Sequence, residues 1–415
     1  MPFSRSLAGT WSPSLPKPAY LAVWVSALLT LGTCTGCSPS TRLDRRSSRV
    51  TNETAETSDS PPRISKETAA SPQPDSTPGP QAKATSSEAI LERCPAIEQA
   101  GASIKRTDEG FISEVDFADL EVKDTWVEAL SPLKQLTRLT VRKSNLSNAG
   151  WQLIGRLSQL RQLDLRECNI HNEQLALALA NLPRLAALRL NGKSGATQVD
   201  DSGLSSLQKC PHLKVLAIDY LPISAASLGY LPPDRLIELY MAGTAIDDKA
   251  VSQLSEFTAL KKLRLANTAI SDVTLRSFKD LPLEELDVSE CSQITDIGLE
   301  PISEILSLKK LNLFKTDVSD AGTECLTSLK RLEWLNLDQT QITDVSLKSV
   351  APLNSLKFLH LGSTAVSDAG MPELVTLSNL SRLIVTRTQV TSSGVTTVQT
   401  WLPTVDIQLE YVPGQ

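Results

Sequence analysis

From Ile112 onward, aliphatic residues return in one register: LxxLxL, two further residues, a small polar residue, then another aliphatic. The register opens at Ile112, Leu136, Leu160, Leu185, Leu213, Leu236, Leu260, Leu283, Leu308, Leu332, Leu356 and Leu380, most often 24 residues apart. Thr404, Ile407 and Leu409 fit one further strand without a helix after it. In LEWLNL (332–337), Leu335 and Leu337 alternate with Asn336, which predicts a short strand with the leucines inward and Asn336 outward. The next segment, DQTQITDVSLKSVAPLNS, carries Leu347, Val350 and Leu353 at helical spacing, placing a short helix on the opposite wall. Thr343 can cap that helix, and Asp344 falls in its first turn, where the helix dipole favours an acid. One such unit cannot bury both faces, so the units must stack around a shared core. Rungs at about 4.8 Å give a stack roughly 60 Å long.

This register resembles the leucine-rich-repeat family, and the resemblance covers residues 112–409. It implies an α/β fold: a leucine-rich-repeat solenoid (horseshoe) of about 12 repeats of about 24 residues, with parallel strands on the concave face and short helices on the convex face. The stretch AIEQAGASIKRTDEGFISEVDF (96–117) and repeat endings such as TQITDVSL and TDVSDAGT resemble bacterial exported leucine-rich-repeat lipoproteins. The same ending is similar to the repeats of F-box substrate receptors, but no F-box-like helical module precedes the repeats, so that reading ranks below the others. An N-terminal cap is expected over 90–111, with a helix at about Ser87–Ala100 and an extended pair around Asp108–Gly110. The repeats then fill 112–403, and a cap strand and tail fill 404–415.

The segment before the repeats looks like an address. Arg5 and Lys17 precede the apolar run Ala19–Leu31, which is too short to span a bilayer and matches the h-region of a signal peptide ending near residue 36. In GTCTGCSPS, Cys37 follows Thr35 and Gly36 and resembles the lipobox cysteine of bacterial lipoproteins. Cys34 stands where that family prefers Leu, and is itself the competing acylation site. Ser38–Ala89 holds 11 Ser, 7 Thr and 7 Pro, with Leu43, Val50 and Ile64 its only large aliphatics, so it is expected to be a disordered tether. Arg42, Arg45, Arg46 and Arg49 are placed to touch anionic headgroups or to remain a solvated cluster. Together these features predict an exported protein, lipid-anchored at a cell membrane or outer membrane and facing the periplasm or exterior.

Composition narrows the function. A length of 415 residues would ordinarily suggest two or three domains, but the repeat assigns most of it to one. The formal charge is −6, and residues 90–415 carry 32 Lys and Arg against 40 Asp and Glu, which argues against a nucleic-acid partner. Only three His occur, at 171, 212 and 360, each isolated by register, and neither HExxH nor a Gly-rich phosphate loop is present. No cofactor, metal site or enzymatic activity is expected. Asp248, Asp272, Asp296, Asp320, Asp344 and Asp368 recur at one repeat position; helix-start acids explain them better than a calcium ladder does. The small polar position after the strand holds Ser144, Cys168, Thr244, Thr268, Cys291, Thr316, Thr340, Thr364 and Thr388. The family resemblance implies that these satisfy backbone groups in the turn. Cys210 and Cys325 are expected to be buried, and no disulfide is expected within the repeats.

The remaining candidate surface is the concave strand face. Most rungs place small or charged groups there, but Phe314, Trp334, Phe358 and His360 cluster, with Trp334 and Phe358 in one column about 5 Å apart. Lys310 borders them. A second candidate is the long rung NGKSGATQVDDSG (191–203), expected to bulge beside Tyr220; Tyr240 belongs to the next rung and completes the candidate ligand contacts. Clustered aromatics on a rigid face suit a protein or peptide partner. The alternatives are that these rings only cover the sheet, or that the protein is a structural envelope component packing against itself or the cell wall.

Overall fold

The computed structural model describes Ile97, residues 101–117 and residues 120–410. Two units divide the chain, Met1–Lys83 with Val412–Gln415, and Ala84–Tyr411; the described residues all lie in the second. The expected signal segment, Cys37, the tether, Cys94 and most of the capping helix therefore lie outside the described residues. Ile97 is helical and buried.

The strands are β1 (Ser103–Arg106), β2 (Ile112–Asp116), β3 (Arg138–Thr140), β4 (Gln162–Asp164), β5 (Ile170–His171), β6 (Ala187–Asn191), β7 (Thr197–Gln198) and β8 (Val215–Asp219). They continue with β9 (Glu238–Tyr240), β10 (Lys262–Arg264), β11 (Glu285–Asp287), β12 (Lys310–Asn312), β13 (Trp334–Asn336), β14 (Phe358–His360), β15 (Arg382–Ile384) and β16 (Asp406–Gln408). All but β5 and β7 form one 14-stranded sheet in chain order. β1 and β2 make an antiparallel hairpin, and from β2 onward every pairing is parallel. The α/β repeat solenoid is thus present. Its register is carried by an inward column: Val115 pairs with Leu139, Leu139 with Leu163, and so on through Leu335, Leu359 and Leu383 to Ile407. The leucines of this column are buried to 2% exposure or less. Each contributes about 1.5–3 kcal/mol relative to an exposed side chain. The long rung does more than bulge, because Thr197–Gln198 pairs with Ile170–His171 as a separate two-stranded sheet.

Short helices close the other wall, for example Asp296–Ile302, Asp320–Cys325 and Asp344–Val350. Each follows a Ser or Thr N-cap whose hydroxyl accepts the amide two residues on, as Thr343 does from Val345 at 3.2 Å. The recurring Asp does more than meet the helix dipole: it reaches into the next repeat. Asp272 accepts the Thr295 amide at 2.9 Å and the Thr295 hydroxyl at 2.7 Å. Asp248 does the same with Ser271, Asp296 with Ser319, Asp320 with Thr343, Asp344 with Ser367 and Asp368 with Thr391.

This latch explains the small residue three positions after each cap that an Asp grips. A Cβ on Gly322 would collide with Asp296 Oδ1 and come within 3.0 Å of Asp296 Cα. Where glycine is absent, a hydroxyl replaces the empty space: Thr274 donates to Asp248 at 2.5 Å, and Ser346 donates to Asp320. The latch is missing where Ala225 takes the Asp position. The strand side has its own strain. Lys143, Glu167, Tyr220, Asn267, Glu290, Lys315, Gln339, Ser363 and Arg387 all sit at φ between 53° and 61°. This left-handed conformation costs of order 1 kcal/mol each. At most of these positions the next rung holds it in place by accepting the residue's amide, as Asp338 accepts from Lys315 at 2.9 Å.

The turn position behaves as expected. Thr316 and Thr340 donate to carbonyls three residues back, and the Cys168 thiol donates to Val141 at 2.7 Å. Cys168, Cys210, Cys291 and Cys325 are free thiols. Cys325 differs from expectation in being only partly buried: it ends its helix, where the wall meets solvent.

Burial alone would raise the Asp320 carboxyl, but hydrogen bonds from Ser346 and Thr343 outweigh it and lower its pKa. Its stabilising effect is therefore complete above the ordinary value of 3.8 and lost as pH falls through the lower folded value. In urea denaturation at pH 7, Asp320→Ala is expected to cost about 1–3 kcal/mol, and the exposed Asp317→Ala less than about 0.5 kcal/mol. Gly322→Ala is expected to destabilise despite alanine's better helix propensity, and Asp296→Ala in the same molecule to relieve part of that loss. Equal effects of Asp320→Ala and Asp317→Ala would remove the latch from the account.

Candidate functional site

Because neighbouring strands pair without offset, outward side chains line up in columns across the sheet. Trp334 is directly opposite Phe358. Their rings stack at 4.9 Å with 6° between planes, and the edge of His360 meets Phe358 at 6.4 Å. Trp334, Phe358 and Phe314 are half-buried, whereas His360 is only 7% exposed. The expectation of an outward-displayed imidazole is thus corrected: Phe358 and Asp338 enclose it.

Asp338 is a site residue that sequence reasoning missed. It is 5% exposed, and its carboxylate stands 4.0 Å from His360 Nε2. Gly362 makes room for both: a Cβ there would stand 2.8 Å from His360 Nε2, 2.9 Å from Asp338 Oδ1 and 3.1 Å from Thr386 Oγ1. These three polar groups converge beside the aromatic stack. Burial raises Asp338 from 3.8 to about 6, against the opposing Ser363 hydroxyl and Arg387. Burial lowers His360 from 6.5 to about 4, with the Arg382 charge adding to it. At neutral pH the imidazole is uncharged.

Lys310 stands directly opposite Trp334 in the register, bordering the stack, and also joins a charged arrangement. Lys261 and Lys309 both grip Glu284, at 2.8 and 2.6 Å, and these bonds hold the Glu284 carboxyl down at about 2. Lys262 lies between Glu238 and Glu285, at 3.4 and 3.5 Å, and Lys310 meets Glu285 at 3.1 Å. Arg264 lies between Asp219 and Asp287, at 3.5 and 3.2 Å. Burial raises both of those carboxyls against the pull of Arg264. Strands β10 to β12 thus form a self-neutralised belt. The signal for it was in the sequence as KK, EE and KK at 261, 284 and 309.

Tyr220 and Tyr240 sit beyond the belt, apart from the aromatic stack in chain and sheet order. Tyr240 donates to Glu238 at 2.8 Å, and burial, then the Glu238 charge, raises its phenol. Lys193 of the long rung lies 4.9 Å from the Tyr220 ring centroid, so the rung does abut Tyr220. Among the described residues no cluster of three or more His, Cys, Asp or Glu could hold a metal ion. Burial raises the Cys168 thiol to about 12 and Cys210 to about 11, so neither is a thiolate at neutral pH. No described helix is long and apolar enough to cross a membrane.

Two family models for the leucine-rich repeat match the chain, over residues 306–366 and 281–303. The chain carries leucine-rich repeats. Among solved structures, this leucine-rich-repeat protein is similar to an internalin (inlF) from Listeria monocytogenes, at 20% identity and TM-score 0.54, over 80% of this chain and 96% of that one. That likeness shows the fold. Weaker matches are yeast Rad7 in complex with Elc1 (18% identity, 69% and 83% of the chains, TM-score 0.45) and the plant peptide hormone receptor RGFR1 in complex with RGF2 (14%, 72% and 58%, TM-score 0.36). No curated protein matches the chain.

The buried pair has a pH signature. Between about pH 6 and 4, native Asp338 holds a proton that the unfolded chain releases, so its contribution grows as pH falls. Over about the same interval native His360 refuses a proton that the unfolded chain accepts, so its contribution shrinks. Each amounts to about 3 kcal/mol, and the two offset. Asp338→Asn is expected to make stability fall more steeply than wild type between pH 6.5 and 4.5, and His360→Gln less steeply. Urea denaturation at the two pH values reads this; equal slopes in all three proteins would contradict the assignment.

Proposed function

We propose that this leucine-rich-repeat protein is a non-enzymatic recognition module that holds a protein or peptide partner on its strand face. Members of the family generally mediate protein–protein interaction. The observation that carries the reading is the Trp334–Phe358 stack, two half-buried rings on the face of a sheet. Aromatic anchors of this kind dominate binding energy when a partner excludes water around them. Phe314 and the Asp338–His360 pair border the stack, so a ligand meets apolar surface and directional polar groups together. Display from the cell envelope is part of the same reading: removal of the signal segment, acylation of Cys37 and a tether over 38–89 would set the module's reach.

A second reading, packing against copies of itself, draws on exposed aliphatics in the helical wall: Val273, Ile297 and Val345 at one repeat position, each more than half exposed. Sedimentation separates the two, since self-packing requires oligomers that Val345→Glu disperses.

With peptides selected on the wild type from a random library, Trp334→Ala with Phe358→Ala is expected to weaken binding at least tenfold, while Val345→Ala leaves it within twofold. Unchanged affinity in the double variant would sink the aromatic anchor. Mass spectrometry of the mature protein is expected to find a diacylglyceryl-modified Cys37 at its N-terminus; an unmodified Cys37 would defeat the anchoring proposal.

A further inference from the structure

The strand face changes character toward its N-terminal end. Over the rungs of β3, β4, β6 and β8 its outward positions carry Arg138, Arg142, Lys143, Arg161, Arg166, Arg189 and Lys214, against Asp164, Glu167 and Asp219. This excess of cations stands in a repeat domain that is acidic overall. The decisive residue is Arg189, half-buried at the centre of β6. Its guanidinium makes no hydrogen bond or ion pair among the described residues.

The carboxylates on the neighbouring strands are engaged elsewhere. Asp164, directly opposite on β4, is held by Arg166 through bonds of 2.9, 3.0 and 2.5 Å. Asp219 accepts the Ala242 amide at 2.7 Å and lies 3.5 Å from Arg264. Glu238 is taken by the Tyr240 hydroxyl and Lys262. Glu167, in the turn after β4, makes no ion pair with Arg189 among the described residues. On its other side Arg189 faces Ala217, a side chain too short to reach it, and its charge extends to the Tyr240 phenol. Arg161 and Lys214 are exposed and likewise without ion pairs among the described residues. Backbone hydrogen bonds place them on either side of Ala186, with Arg161 accepting from Ala186 and Ala186 accepting from Lys214. Two rungs at about 4.8 Å set them about 10 Å apart.

We propose that this end of the strand face binds an acidic peptide segment, one carboxylate chelated by Arg189 above Ala217 and others met by Arg161 and Lys214. The proposal rests on the strand-face reading above and names the chemistry of the partner. A planar guanidinium pairs bidentately with a carboxylate, which fits a half-buried Arg with no other acceptor. Carboxylates on alternate residues of an extended peptide stand about 7 Å apart, close to the span between these cations. A continuous polyphosphate suits the surface less well: it would run onto Asp164 and Glu167 on one side and onto Glu238, Glu284 and Glu285 on the other.

The test is fluorescence anisotropy of the full chain with labelled hexaglutamate, hexalysine and decathymidylate. Hexaglutamate is expected to bind with an affinity that falls steeply with salt, and hexalysine not to bind. Arg189→Gln with Lys214→Gln is expected to weaken hexaglutamate at least tenfold, and Arg189→Lys less. Val345→Ala on the helical wall should leave hexaglutamate binding within twofold, and because hexaglutamate carries no apolar side chain, failure of the aromatic anchor and failure of this proposal are distinguishable. Circular dichroism melts matching wild type exclude misfolding of the Gln variants, and Arg161→Gln gives an independent reading. Absence of hexaglutamate binding, no effect of the Gln substitutions, or tighter binding of decathymidylate would each overturn the proposal.

Discussion

The carboxylate that leaves the first turn of one helix and accepts the amide and hydroxyl capping the next is the tie on which the stack depends. A repeat of about 24 residues offers a three-residue strand and one or two turns of helix, neither stable alone. The leucine column holds the strand wall by burial, which is non-directional and would tolerate sliding. The latch adds direction. It fixes where each helix begins relative to its predecessor, and glycine, serine or threonine three residues after the cap gives the carboxylate a place to sit. The latch is absent where Ala225 replaces the acid, between the long rung and the belt. There the chain uses a 3-10 turn, Ala225–Tyr230.

Fixed register turns sequence spacing into surface chemistry. Because strand pairs are unshifted, a residue type repeated at the repeat period becomes a column, and a type that alternates becomes a cross-strand ladder. The strand face thereby divides. Charges cancel over β10 to β12, aromatic rings stack over β13 and β14, and arginines exceed the acids over β3 to β8. A partner lying along this face would meet cationic, neutral and aromatic surfaces in order. On the proposed reading, the order of the zones would set which partner the face accepts.

Much of this was legible in the sequence because periodicity reports burial directly. The LxxLxL register located the strands and the core, and placing Trp334 and Phe358 in one column anticipated their 4.9 Å stack. The recurring Asp was recognised as structural, but its reach into the next repeat was not, because helix-dipole reasoning considers a single helix. His360 looked displayed because alternation points it outward; its burial comes from Phe358 and Asp338, neighbours that only the folded register brings together. Asp338 and Gly362 fall just after their strands, where period-two alternation no longer speaks. Arg189 resembles any other surface arginine in the sequence. Only the pairing of Asp164 with Arg166 and of Asp219 with Ala242 and Arg264 leaves it without a carboxylate.

The central claim is that a polypeptide partner lies on the strand face and leaves the helical wall uncovered. Site-specific photocrosslinking tests it most directly, with benzoylphenylalanine introduced at Lys357, beside Phe358, or at Val345 on the helical wall. With a peptide selected on the wild type, crosslinked product is expected from position 357 and none from position 345. Crosslinking from 345 with none from 357 would place the partner on the opposite wall and contradict the account.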